Sequence, residues 1–116
     1  MKKLTLSLLF GCIASISFSQ AKISVDSSAG YIGKLVTVCA KVNGVKELEK
    51  INFFNLGKAF PNAPLTLVIN AKDKANFKAL GAYDGKNICV TGTITEFKGK
   101  PQIVVTKAEE IVEAID

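Results

Sequence analysis

The chain has 116 residues, a formal charge of +5, and neither histidine nor tryptophan. Every basic residue is lysine. Without imidazole the commonest general base is missing, along with a frequent metal ligand. Without guanidinium the fork best suited to phosphates and base edges is missing too. The expectation is a protein that is not an enzyme, carries no cofactor, and does not read duplex DNA by sequence.

Residues 1–19 predict a Sec signal peptide. Lys2 and Lys3 form its positive start, an apolar run follows, and Ser17-Phe18-Ser19 sets small side chains where a signal peptidase reads, so cleavage falls before Gln20. The apolar run is shorter than the ~20 residues of a spanning helix. A lesser alternative is a lipoprotein anchored at Cys12, through Leu9-Phe10-Gly11-Cys12. The expected destination is the periplasm or the exterior, where disulfides persist. Cleavage leaves a net charge of +3 and two cysteines, Cys39 and Cys89. Two cysteines without histidine make an incomplete zinc site. What remains is one domain with a small core.

The expected elements follow in order. Residues 20–32 are a lead-in, a short helix or an edge strand. A first strand covers 35–42, where Val36, Val38, Ala40 and Val42 alternate with polar neighbours. Asn43-Gly44 then makes either a hairpin turn or a bulge in a longer strand. Residues 46–50 are charged and read as a solvated connection. A second strand covers 51–56, with Phe53 and Phe54 adjacent, so one of them leaves the core. Pro61 and Pro64 mark a turn. A third strand covers 65–69. Residues 72–80 predict a short helix, capped by Asn70 or Asp73 and stopped at Gly81. A fourth strand covers 87–94; Ile88, Val90, Gly92 and Ile94 repeat the spacing of the first. A turn at 96–100 leads to a fifth strand at 102–106. Residues 108–115 predict a second short helix, with Ile111, Val112 and Ile115 on one side.

The order strand, strand, strand, helix, strand, strand fits an all-β, five-stranded Greek-key barrel of the oligonucleotide/oligosaccharide-binding (OB) type. An open antiparallel sheet with one helix is the plainer alternative. Closure would remove exposed edges, and Gly92 suits a strand that bends tightly.

Several segments carry a resemblance: Gly33-Lys34-Leu35-Val36-Thr37-Val38, Phe54-Asn55-Leu56-Gly57, residues 61–69, residues 85–92, and Lys98-Gly99-Lys100-Pro101-Gln102-Ile103-Val104-Val105. Together they resemble a bacterial exported OB-fold family, whose members also occur as modules attached to secreted nucleases. The resemblance spans nearly all of the expected mature chain, in which residues 33–116 are the expected domain. It implies a binding role, with single-stranded nucleic acid as the leading partner. It transfers no catalytic residue.

In such a barrel the first and fourth strands are antiparallel neighbours. Cys39 and Cys89 both point outward, and a disulfide forms if they lie opposite each other. Two reduced thiols, or cysteines buried under a terminal helix, are the alternatives. The OB fold binds across its second and third strands and the flanking loops. Single-strand binders join aromatic platforms to a positive groove. The candidate contacts are Phe97, Lys98, Lys100, Lys50, Lys58 and Phe53. Lys41 and Lys46 are further lysines, and Phe54 and Phe60 further aromatics. Each has a plainer reading. Phe97 could fold back over the barrel end, Phe53 or Phe54 could be core, Phe60 could be a packed turn residue, and the lysines could simply be solvated. A protein-interaction or envelope-associated structural module, or a saccharide or small-ligand binder, remains the alternative function. The missing tryptophan weighs against saccharides.

Overall fold

The computed structural model describes residues 21–114. The expected signal peptide and the Cys12 anchor lie outside the described residues. Eight strands form one sheet: β1 (Ala21–Ile23), β2 (Leu35–Glu47), β3 (Ile51–Leu56), β4 (Leu65–Asn70), β5 (Asn87–Thr93), β6 (Thr95–Phe97), β7 (Lys100–Val104) and β8 (Ile111–Glu113). Their order across the sheet is β6-β7-β4-β3-β2-β5-β8, with β1 beside β2. β2 and β5 run antiparallel, as do β2 and β3, and β3 and β4, while β4 and β7 are parallel.

β2 serves two partners. Its first half, residues 35–41, pairs with β5, and its second half pairs with β3 after a bulge between Val42 and Val45. Of the two readings for Asn43-Gly44, the bulge is the one the chain adopts. It lets one long strand change neighbours by bending.

The five-stranded closed barrel is corrected here. The path of ladders has two ends, β6 and β8, and does not close. The expected fourth strand, 87–94, is present as β5, and β6 occupies the start of the expected turn at 96–100, separated from β5 by Ile94. That residue is fully buried, and its backbone bonds back to Gly33 and Lys34. The chain therefore leaves β2 at Ile94 and joins β7 as β6.

Both expected helices are corrected as well. Residues 71–83 form two 3-10 segments, Ala71–Asn76 and Leu80–Tyr83. Only Leu80 and Tyr83 are buried in them, with Phe77 half-buried against the core. Ala75 and Ala79, counted in the expected apolar stripe, are exposed, so residues 72–80 offer no continuous buried helical face. At the C-terminal end a 3-10 turn, Ala108–Glu110, gives way to β8, which pairs with β5. Ile111 is buried and Val112 exposed, the period of a strand. β5 offers an open row of backbone donors and acceptors, and β-branched Ile111-Val112 satisfies it better as a strand than as a helix. The lead-in contains both expected elements, strand β1 and the 3-10 segment Val25–Tyr31.

The core lies inside the curved sheet. Val36, Val38, Val42, Ile88, Val90 and Ile94 fill it as their alternation predicts, together with Phe54, Leu56, Leu65, Leu67, Ile69, Ile103 and Val105. Phe54 stacks at a tilt against Tyr83, with centroids 5.1 Å apart. Cys39 and Cys89 are directly opposite in the β2–β5 ladder and form a disulfide, with Cα atoms 3.9 Å apart. Among the described residues no helix is long and apolar enough to cross a membrane.

Candidate functional site

The outward residues of β3 and β4 follow from the same period that builds the core. Asn52, Phe54 and Leu56 turn inward, so Ile51, Phe53 and Asn55 turn outward. On β4, Leu65, Leu67 and Ile69 are buried and Thr66 faces out. This outer face forms the floor of a cleft of about 390 Å³. Lys46 and Leu48, from the end of β2 and the turn after it, line the cleft. So do Phe60, Pro61 and Ala63, from the β3–β4 connection, and Lys100, Pro101 and Gln102, from β7.

Two rows of side chains cross the floor. Lys46 lies opposite Phe53, and Phe53 opposite Val68. Asn55 lies opposite Thr66, and Thr66 beside Gln102. The first row is cationic and aromatic, and the second is polar. Lys100 reaches from β7 toward the opposite wall, where its Nζ donates to the Pro61 carbonyl at 3.4 Å. Phe60 is 78 % exposed, the most exposed large apolar side chain among the described residues. Its reading as a packed turn residue is corrected: the 57–64 connection leaves the sheet and carries the ring to the rim.

Of the six expected contact residues, the cleft brings together Phe53 and Lys100. Phe97 lies opposite Lys100 across the β6–β7 hairpin, on the same side of that ribbon, but does not line the cleft. Its ring is 58 % exposed, so it does not fold back over the sheet. The Lys98 Nζ sits over that ring, 5.4 Å from its centroid. Lys50 and Lys58 lie beyond opposite ends of β3, exposed and outside the cleft lining. Lys41 is exposed on the part of β2 that pairs with β5, away from the cleft.

Sequence reasoning did not single out Leu48, Asn55, Thr66 or Gln102 as contacts, although the last three fall inside the segments that carry the family resemblance. The period-two pattern of β3 and β4 does mark Asn55 and Thr66 as outward. Leu48 sits in a charged run, and only its place beside the cleft distinguishes it. Among the described residues no cluster of three or more His, Cys, Asp or Glu side chains is arranged to hold a metal ion.

Solved structures share this fold at low sequence identity. A chain in the S. pombe Stn1–Ten1 complex is 15% identical over 71% of this chain and 59% of its own, with a TM-score of 0.55. The OBody AM1L10, bound to hen egg-white lysozyme, is 12% identical over 88% of this chain and 100% of its own, with a TM-score of 0.58. The fold is OB-like. A protein named as an aspartyl-tRNA synthetase from Leishmania major Friedlin is 13% identical over 90% of this chain, with a TM-score of 0.53. The chain spans only 23% of that protein and just over half of the Stn1–Ten1 chain. No family model matches the sequence, and no curated protein matches it.

The cleft lies over the outer face of β3 and β4, lined at its edges by the turn after β2 and by β7.

Proposed function

We propose that this protein is a non-catalytic, exported OB-like binding module that holds single-stranded nucleic acid in the β3–β4–β7 cleft. One observation carries the reading. Two accessible phenyl rings, Phe53 and Phe60, share a single cleft with two lysines, Lys46 and Lys100. Bases stack on aromatic faces regardless of sequence, and lysines neutralise the backbone that links them. Lys98 and Phe97 extend the same side of the hairpin and lengthen the track. Lys50 and Lys58 contribute only to the general positive field. The disulfide supports export to the periplasm or beyond, because such bonds are rare in reducing compartments.

The experiment is fluorescence anisotropy with labelled single-stranded DNA and RNA at two salt concentrations. Log affinity should fall with log salt by about 0.7 for each phosphate neutralised, hence by about 2 if Lys46, Lys98 and Lys100 all engage. Lys100→Glu should weaken binding and flatten that slope. Absence of binding at low salt overturns the reading.

A second reading has its own support. The cleft wall is mainly apolar, with Leu48, Pro61 and Pro101 beside the rings. Such a wall also suits a protein partner, and the OBody neighbour is bound to a protein. A partner captured at the cleft, with no retention on single-stranded DNA, favours this alternative.

A further inference from the structure

We infer that the cleft selects among bases, with Asn55, Thr66 and Gln102 reading the edge of one unstacked base. The inference rests on the nucleic-acid reading above and adds a specificity to it.

The three side chains belong to three adjacent strands. Asn55 on β3 is in register with Thr66 on β4, which is in register with Gln102 on β7. All three line the cleft and all three are half-buried. None of their side chains has a hydrogen-bonding partner among the described residues. Beyond the ladders, the Gln102 backbone carbonyl accepts from the Thr95 hydroxyl at 3.3 Å.

An amide and a hydroxyl each both donate and accept. A row of amide, hydroxyl and amide can therefore match the mixed donor and acceptor edge of a base. Phe53 stands beside this row on the same face of β3, two residues from Asn55. Phe60 is at the rim. A base packed on these rings would present its edge to the row.

Energetics turn the arrangement into selectivity. In the free protein, water serves these half-buried groups. A ring that fills the cleft displaces that water. A base whose edge returns the hydrogen bonds loses nothing, whereas one that leaves an amide unpaired bears its desolvation cost. Sequence-tolerant single-strand binders rely on ring faces and backbone charge, which need no such row. Single-stranded bases expose the edges that an amide can read.

The test uses labelled short homopolymers of dA, dC and dT, and a matching strand with abasic sites, at one fixed salt concentration. The wild-type protein should prefer one base over the weakest by about tenfold or more, as one good amide–base match provides. Thr66→Val and Gln102→Leu should bring that ratio close to one. Their salt slopes should stay at the wild-type value, because no phosphate contact is lost. Circular dichroism and melting temperature check that both variants remain folded. Equal wild-type affinity for dA, dC and dT overturns the inference and leaves the nucleic-acid reading standing. So does a variant that weakens all strands by one factor and keeps the ratio. Failure of every strand to bind overturns both.

Discussion

Gly92 and Ile103 meet so closely that a Cβ on Gly92 would lie 2.7 Å from Cγ2 of Ile103. The two residues sit on β5 and β7, strands that share no ladder among the described residues. Their contact is side chain on backbone, across the seam where the sheet does not close. Ile103 is almost fully buried and has little room to withdraw. Gly92→Ala should therefore overpack the core and cost about 1–3 kcal/mol. Ile103→Ala alone should cost about 2–5 kcal/mol by leaving a cavity. In the double variant the new methyl enters the space vacated, so the losses should sum to less than the two singles. Urea denaturation of all four proteins measures this, and strict additivity would refute the contact.

Reduction should be more damaging than any surface change. The Cys39–Cys89 bond links residues 50 apart in sequence. In the chain-entropy account, opening a loop of that size removes about 4 kcal/mol by freeing the unfolded chain. A domain of this size has only about 5–15 kcal/mol in total. Both cysteines are half-exposed on the outer face, so a small thiol can reach them. The urea midpoint with and without reductant reports the effect. A shift worth less than about 1 kcal/mol would mean that the unfolded chain is already restricted near this pair.

The β6–β7 hairpin is tighter than its sequence suggests. Phe97 pairs with Lys100, which leaves Lys98 and Gly99 as a two-residue loop. Both have positive φ, 52° and 80°. This is the backbone of a type I′ turn, which favours Asn-Gly. Gly99→Ala should lower stability by about 1–2 kcal/mol, since a Cβ is disfavoured in the left-handed region. Lys98→Asn should raise the melting temperature slightly, because asparagine tolerates that region better than lysine. A stabilising Gly99→Ala would rule out the turn.

An ion pair joins β8 to the segment between the two 3-10 turns after β4. Lys78 bonds Glu113, and its Nζ also lies 4.8 Å from the centre of the Tyr83 ring. The hydrogen bond to Lys78 holds the Glu113 carboxyl below its ordinary 4.5, and the same bond raises the Lys78 amine above its ordinary 10.5. The depressed carboxyl adds stability above its unfolded pKa, which is lost as pH falls through the folded value. The raised amine adds stability below its unfolded pKa, which is lost as pH rises through the folded value. The pair therefore supports β8 across neutral pH and at neither extreme. An NMR titration of Glu113 should give a value below 4.5 that returns toward it in Lys78→Met. An unchanged value in the variant would show that Lys78 is not the cause.

The core strands were legible because their period needs only one buried face. Val36, Val38, Ile88 and Val90 alternate in sequence and are buried in the structure, and placing those two strands side by side brings Cys39 opposite Cys89. The two helices were misread for different reasons. The stripe of residues 72–80 counted Ala75 and Ala79, which the structure leaves exposed, so the segment has no continuous buried face. Ile111 and Val112 fit either period, and the tertiary partner decides. For Val112 that partner is Cys89 on the open side of β5. The cleft was half legible. Phe53 and Lys100 follow from the strand pattern and the last hairpin. Leu48 and Phe60 lie in connections with no period, and chain sections distant in sequence put them at the same rim.

The cleft makes a sharper claim about aromatic rings than the sequence allowed. Phe97 and Phe60 are both exposed phenylalanines beside prolines or lysines, and sequence favours Phe97 because it lies at a hairpin tip. The structure separates them. Phe60 lines the cleft with Phe53 and Lys100, whereas Phe97 stands outside it with Lys98 over its face. A stacking ring is worth about 1–3 kcal/mol per base when removed. Phe60→Ala should therefore weaken single-strand binding by about tenfold or more at fixed salt. Phe97→Ala should matter less, and only with strands long enough to run along the hairpin. Neither ring belongs to the core, so both variants should melt near the wild-type temperature. Anisotropy with a short and a long strand distinguishes the two positions. A larger loss from Phe97→Ala on the short strand would move the site from the cleft to the hairpin tip.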